Sequence, residues 1–348
     1  MGYKQNSKGS ISMTSRELVL STLEFRNKGR APRQLWLLPW ARDHHPDMCA
    51  KIAADFPDDI SGVAAKYDVP SIEKGDPYTP GEYTDPWGCR FKNINPGIIG
   101  EVKDPLVASD DYDWDDVSNI HIPEEFLSFD VGQINEECAK SSAFIMSGYC
   151  PRPFEQIQFI RGSENFYIDL MDPPKKMLDF MEEMHDFYCR VLTKWAQTDV
   201  DALFFMDDWG SQNNLLIDPR IWCELFKPMY ADYVQIAHSH GKKAFMHSDG
   251  NTLQMIPHLV DIGLDALNAQ IFCIGLENLT QFKGKITFWG EIDRQHLLPY
   301  ASLDEIESAV RKVHDTLWAN GGCLAQCEFG PGAKPENVYK VFEAWGSM

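Results

Sequence analysis

The sequence predicts an α/β chain, a (β/α)8 TIM barrel with a long insertion after its second strand, and three observations carry that expectation. Eight short apolar runs are spaced along the chain, each ending in polar or glycine-containing residues. Most are continuously apolar rather than alternating, the pattern of parallel strands covered on both faces. From the third run onward helical segments separate them, and strand-helix alternation carried to eight strands favours closure of the parallel sheet into a barrel. The 348 residues are enough for one such barrel with an insertion.

The first element begins at Thr14, where Thr14 and Glu17 form a T-x-x-E capping box ahead of Leu18, Val19, Leu20, Leu23 and Phe25. The runs are QLWLLPW (34–40), ISGVAAKYDV (60–69), SAFIMSGY (142–149), DALFFMDD (201–208), KAFMHSD (243–249), DALNAQ (265–270), ITFWGEID (286–293) and CLAQCEF (323–329). Residues 219–240 read as a helix with Asp218 as N-cap and Pro219 at its first position. It carries a stripe of Trp222, Phe226, Met229, Tyr233 and Ile236 and stops at Gly241. Another helix starts at Ser302 with a capping box to Glu305 and runs to about Asn320, before Gly321. Residues 70–135 are rich in Pro, Gly, Asp and Trp, as in DPYTPGEYTDPWG and DDYDWDDV, and break the rhythm. They read as the insertion, a long connection of the kind that covers or builds a binding site. Residues 1–13 open with the polar MGYKQNSKGSIS and read as a disordered extension, leaving 14–348 as a single domain.

A composition of 44% hydrophobic and 24% charged residues supplies a large core and excludes a disordered chain. The net charge of -20 repels phosphate backbones and anionic lipid headgroups, and no basic patch offsets it, so neither nucleic acid nor membrane is an expected partner. Nine cysteines, an odd number at irregular spacing, suit reduced thiols and a cytoplasmic protein. No run approaches the ~18 apolar residues of a membrane span, and the N-terminus lacks a signal-peptide core. A homo-oligomer is compatible with the sequence.

In a barrel, chemistry sits at the strand C-termini, so the polar residues ending the runs are the candidates. The fourth run ends in Asp207 and Asp208, the fifth in His247 and Asp249, the sixth in Asn268 and Gln270, the seventh in Glu291 and Asp293, and the eighth in Cys327 and Glu328. His247 and Asp249, two apart in an extended segment, point to one face and can share a ligand. A thiolate from Cys327 would complete a three-residue zinc site with an open fourth position. One His and one Cys in apolar strands are, however, more often packed core residues than ligands. A metal-free carboxylate site of Asp207, Asp208 and Glu291 is equally compatible with the spacing. Adjacent Asp207 and Asp208 point to opposite sides of their strand, so one can face the mouth as acid/base while the other caps the following loop or helix. Trp40, Arg42, Tyr149, Phe154, Trp209 and Gln270 lie near the expected mouth and are candidates for substrate binding, with ordinary barrel-top packing as the plainer explanation for the aromatics.

Several segments together resemble the uroporphyrinogen decarboxylase superfamily, specifically its zinc-dependent methyltransferases that work with corrinoid proteins or coenzyme M. They are TSRELVLSTLEFRNKGRAP, FFMDDWGSQNNLLIDPRIWCELFKP, GKKAFMHSDGNTLQMIPHLVDIGLDALNAQ, FWGEIDRQHLLPYASLDEI and GGCLAQCEFGPGAKPENV, and the likeness runs from about Thr14 to the C-terminus. In that branch zinc is held by His-x-Cys and a distant Cys. The resemblance maps His247 to the histidine and Cys327 to the distant cysteine, with Asp249 replacing the middle thiolate and Glu291 a candidate further carboxylate. One thiolate fewer makes the metal harder and favours an oxygen- or nitrogen-containing substrate. The arginine of the Trp-x-x-Arg-Gln-Ala-Gly-Arg stretch of true decarboxylases is replaced by Pro39, so decarboxylation of a small carboxylated substrate ranks below methyl transfer. No D-x-H-x-x-G corrinoid signature occurs, so the implied corrinoid arrives on a separate protein, and the implied reaction takes a methyl group from a small, methoxylated donor.

Overall fold

The eight apolar runs form eight parallel strands. The structure, a computed structural model, describes residues 13–97, 99–107 and 114–348, so the extension read at residues 1–13 lies outside it except for Met13. The strands are β1 (Arg33–Leu37), β2 (Ile60–Gly62), β3 (Phe144–Met146), β4 (Ala202–Met206), β5 (Lys243–Ser248), β6 (Ala266–Ala269), β7 (Thr287–Trp289) and β8 (Cys323–Phe329). Their order is β1-β8-β7-β6-β5-β4-β3-β2, with every neighbouring pair parallel. β1 and β2 share no ladder, but the Asp59 N–H donates to Arg33 O at 2.8 Å and brings the sheet close to closure. Asp59 latches this seam. Its carboxylate accepts from both Arg30 Nη atoms, the Ser15 hydroxyl and the Arg33 N–H, and its carbonyl accepts from Phe144 N–H of β3.

Strand parity divides the core in two. Ile60, Phe144, Met146, Ala202, Phe245, Ala266, Trp289 and Leu324 fill the barrel interior with Trp36 and Phe204. Leu203, Phe205, Ala244, Met246, Leu267, Ala325, Cys327 and Phe329 belong to the larger cluster between strands and helices. Helix α1 (Ser15–Leu23), started by the Thr14–Glu17 capping box, inserts Val19 and Leu23 into the interior cluster and so closes the N-terminal end. The C-terminal end is left as the mouth.

The first two strands are shorter than their apolar runs. Beyond Leu37, Pro39 opens a helix over Pro39–His44, since proline lacks the N–H a ladder needs but suits a first helical turn. Beyond Gly62 the chain leaves the barrel, and Tyr67 packs edge-on against Phe126 and Phe129. The insertion carries a three-stranded antiparallel sheet of Gly81–Thr84, Arg90–Asn93 and Glu101–Asp104. Its Trp87 packs at 5.6 Å on Phe187 and 5.7 Å on Tyr188. These belong to α3 (Lys175–Ala196), which follows α2 (Pro153–Arg161).

The helix expected over 219–240 is interrupted. A π turn at Trp222–Phe226 precedes α4 (Lys227–Ser239), just before Pro228, whose missing N–H breaks the regular ladder. Both Trp222 and Tyr230 are thereby fully buried. The second expected helix is α5 (Leu303–Leu317), with both capping-box bonds present. Among the described residues no helix is long and apolar enough to cross a membrane.

Removing the latch should loosen the seam. Asp59→Ala leaves Arg30 and the Arg33 N–H without their acceptor and should cost about 2–3 kcal/mol in denaturant unfolding. Burial opposes the charge on Asp59, but Arg30, Ser15 and the Arg33 N–H outweigh it and hold its pKa below the ordinary value. Its ionised contribution is therefore complete above the unfolded value of about 4 and is lost as pH falls through the folded one. The stability gap between wild type and Asp59→Asn should narrow on acidification below about pH 4, and a gap independent of pH would contradict the latch.

Candidate metal centre

At the mouth, Asp208, His247 and Asp249 offer one ligand atom each within 4.8 Å of one another, a group that could hold a metal ion. His247 Nε2 lies 3.4 Å from Asp208 Oδ1 and 3.6 Å from Asp249 Oδ1. His247 and Asp249 share a face through their spacing of two. Asp208 arrives from the neighbouring strand end, where Met206 pairs with His247 in the ladder. The two loops beyond β4 and β5 touch through glycines. A Cβ on Gly250, whose φ is +77°, would stand 2.1 Å from Gly210 O, so a larger residue in either loop would drive the acids apart. The Asp249 N–H also donates to Asp208 Oδ1 at 3.1 Å.

A chain of hydrogen bonds sets the imidazole. Asn268 donates from Nδ2 to Trp289 O, which turns its Oδ1 toward His247 Nδ1 at 2.6 Å. Nδ1 is thus the protonated nitrogen, and the Nε2 lone pair faces the two carboxylates, the arrangement that metal-binding histidines require. Trp36 packs against the ring at 5.2 Å. Asp249 divides its oxygens: Oδ2 pairs with Arg294, while Oδ1 is buried with no hydrogen-bond partner. A buried carboxylate oxygen without a partner, beside an imidazole lone pair and a second carboxylate, fits a divalent cation. Without a metal the same geometry favours a proton. Burial works against charge on His247, but Asp208 and Asp249 overcome it and raise the imidazole to about 9.

Arg294 ties the centre to two further acids, with Nη1 at 3.1 Å from Glu328 Oε1 and Nε at 3.5 Å from Glu291 Oε1. Burial pushes Glu291 up to about 8 despite Arg294, and its Oε2 has no partner. Burial thus favours the protonated form of Glu291, the form that can donate. Glu155 resembles it: burial, opposed by Arg152, raises it to about 7, and its Oε2 is also orphaned.

The structure separates the Asp207–Asp208 pair. Asp208 faces the mouth, whereas Asp207 is fully buried on the other side and accepts from the N–H groups of Phe154 and Glu155 and from the Tyr230 hydroxyl. Asp207 thus holds the N-terminus of α2 and does not join the cluster. Burial and the neighbouring Glu155 push its pKa up, against those hydrogen bonds.

Cys327 is likewise not among the clustered residues, and the expected set of His247, Asp249 and Cys327 is replaced by Asp208, His247 and Asp249. On β8 it is Leu324 that joins the interior cluster, so Gln326 and Glu328 share the inward parity and Cys327 packs toward the helices. Burial there pushes its thiol well up, the opposite of an available thiolate.

Of the candidate substrate contacts, Phe154 and Trp209 stack at 3.9 Å and are fully buried, so they are packing below the mouth. Gln270 accepts from Gly250 N–H at 3.1 Å and steadies the β5 loop. Trp40 stacks on His44 at 4.5 Å, and Arg42 is exposed on the same short helix. Tyr149 lines a cavity of 290 Å³ beneath the insertion.

Sequence reasoning named Asn268 only among the strand-end candidates and did not single out Arg294, Arg152 or Glu155. The last two stand in CPRPFE directly after β3, a charged pair beside a strand C-terminus, which is the signal that could have found them.

The model of the uroporphyrinogen decarboxylase (URO-D) family matches residues 98–347. Among solved structures, a methyltransferase from Methanosarcina mazei aligns over 97% of this chain and 99% of its own, at 14% identity and a TM-score of 0.65. A D-psicose 3-epimerase structure in the presence of D-fructose aligns over 63% and 76%, at 10% identity and a TM-score of 0.37. A xylose isomerase-like TIM barrel protein from Mycobacterium smegmatis in complex with magnesium aligns over 66% and 82%, at 10% identity and a TM-score of 0.35. A comparison with curated proteins finds no match. With more than half of its length matched, and the barrel it shares with the Methanosarcina protein, the chain belongs to the uroporphyrinogen decarboxylase family.

Proposed function

We propose that this protein is a zinc-dependent methyltransferase that moves a methyl group from a small, methoxylated substrate to a corrinoid carried by a separate protein. The observation that carries the reading is the mouth cluster, in which the His247 Nε2 lone pair and the unpartnered Asp249 Oδ1 converge with Asp208. An imidazole with two carboxylates is a harder donor set than the thiolate-rich set of the methyltransferases the sequence resembles, and suits an oxygen ligand. A zinc ion held there would supply Lewis-acid polarisation of the donor oxygen. The chain's own residues do the rest. Arg294 fixes Asp249 through Oδ2, and the protonated Glu291 holds a proton for the leaving oxygen, which departs poorly as a free anion.

The fold shared with a methyltransferase is compatible with methyl transfer, and Pro39 at the position of the decarboxylases' arginine supports it over decarboxylation. Nothing in the sequence matches a corrinoid-binding signature, which supports a partner as carrier. All nine cysteines are free, in keeping with a cytoplasmic setting.

Zinc titrated by calorimetry should bind once per chain, and the signal should disappear in His247→Ala and Asp249→Asn and persist in Cys327→Ala. Asn268→Leu should weaken binding by roughly 10–100-fold, the usual effect of removing a metal histidine's partner. Loss of zinc in Cys327→Ala with full retention in Asp208→Asn would sink this ligand assignment.

With a reduced corrinoid protein and a methoxylated donor, methylation should be visible in the corrinoid absorbance. It should stop on chelation and fall by roughly 10²–10⁴-fold in Glu291→Gln. Turnover that survives chelation, with carbon dioxide as a product, would instead make the protein a decarboxylase-like lyase.

A further inference from the structure

The barrel interior holds two glutamines side by side, and only one of them is satisfied. Gln34 of β1 and Gln326 of β8 are ladder partners, both buried and both of inward parity. The Gln34 Oε1 accepts from the ring N–H groups of Trp36 and Trp289 at 3.2 and 2.8 Å, so this amide holds the interior together. Gln326 is 1% exposed, and neither its Nε2 nor its Oε1 has a hydrogen-bond partner among the described residues. A donor and an acceptor left unmet in an apolar interior cost about 1–3 kcal/mol each. A methionine of similar shape would avoid that cost. The amide gives a return only where a further polar group meets it.

Such a group stands on the neighbouring strand. Trp289 of β7 pairs with Leu324 of β8, and two residues farther along each strand are Glu291 and Gln326. Gly290, directly before Glu291, is pressed against the amide, since a Cβ there would collide with Gln326 Oε1 and stand 2.9 Å from Gln326 Cβ. Glu291 is itself buried; Arg294 faces its Oε1, and its Oε2 has no partner. The charged groups that act on Glu291 are Arg294 of its own loop, Asp249 and His247 from the end of β5 and Glu328 from β8, and none of them bonds Oε2. A carboxylic acid and a primary carboxamide are complementary. The acid O–H donates to the amide oxygen while the amide N–H donates to the other oxygen of the acid. The terminal torsions of glutamine and glutamate are broad, so the two ends can turn toward each other without a change of the inner torsions. One such pair satisfies three orphaned atoms together, Gln326 Nε2, Gln326 Oε1 and Glu291 Oε2.

Deepening the methyl-transfer reading, on which the use of this proton rests, we infer that Gln326 is the positioning residue of Glu291: its amide pairs with the protonated carboxyl before transfer and with the carboxylate after it. In the transfer the O–H bond of Glu291 breaks and its electron pair stays on the carboxylate. The proton goes to the donor oxygen, which keeps the pair of its broken bond to the methyl carbon. The incoming nucleophile on the partner supplies the pair for the new bond to carbon. Gln326 Nε2 then donates to the new carboxylate, so the amide serves both protonation states of the acid. Its neighbour Gln34, with its oxygen committed to two tryptophans, serves neither.

The pair can be tested on the protein alone, through the infrared C=O stretch of the Glu291 acid, whose frequency falls when the acid is hydrogen-bonded. The band is assigned as the one lost in Glu291→Gln. In wild type it should stand at the frequency of a bonded acid. In Gln326→Met, of similar length and without an amide, it should rise to that of a free acid, and Gln326→Leu should give the same rise. Gln34→Met, which removes the other interior amide, should leave the band in place. Near-UV circular dichroism of each variant reports folding. A free-acid band in wild type, or a band unmoved in the folded Gln326 variants, overturns the inference. In methyl transfer, Gln326→Met should lower kcat roughly 10–100-fold with KM unchanged, and an unchanged kcat would likewise overturn it. If the band behaves as expected and no methyl reaches a corrinoid, the methyltransferase reading fails while the pairing of Gln326 with Glu291 stands.

Discussion

The functional end of this protein depends on one constraint, the two-residue periodicity of a strand in a nearly closed barrel. Every second side chain of β4 to β8 enters the interior, and the rest face the helices. On β5 this brings Phe245 and His247 inward and carries Asp249 to the same side just past the strand. On β8 it admits Leu324 and sends Cys327 out. A shift of one residue on β8 would exchange the two faces and give the thiol to the mouth. The interior register therefore decides that the centre is built from an imidazole and carboxylates.

Burying so much charge in one mouth is costly unless each group has a defined partner. The solution here is unequal sharing. Arg294 reaches Asp249, Glu328 and Glu291, yet leaves one oxygen of Asp249 and one of Glu291 unpaired. His247 is committed at Nδ1 and open at Nε2. The unmet hydrogen-bonding capacity is concentrated where a cation and a proton are wanted, while Asp207 on the outer face is satisfied by a helix N-terminus and a tyrosine. Adjacent aspartates thus serve support and site respectively.

Long-range placement contributes the remainder. The π turn ahead of Pro228 accompanies the burial of Trp222 and Tyr230, and Tyr230 bonds both Asp207 and Trp209. The insertion folds its own small sheet back onto α3 and walls off the cavity beside Arg152. Neither effect is local. The first joins residues just over twenty apart, Tyr230 with Asp207 and Trp209, and the second joins segments about a hundred apart, such as Trp87 and Tyr188.

The sequence by itself determined the barrel, because eight buried parallel strands must be continuously apolar and their helices must announce themselves with caps, as Thr14 and Ser302 do. It also determined His247 and Asp249, since a spacing of two on one strand needs no partner to be read. What it left open was which of Asp207 and Asp208 faces the mouth and which parity of β8 does, because a continuously apolar strand carries no mark of its inner face. Tertiary structure decided those questions through ladder register. It alone assembled Arg294, Asn268, Arg152 and Glu155 around the centre, since their partners come from other strands and loops and no local pattern encodes such encounters.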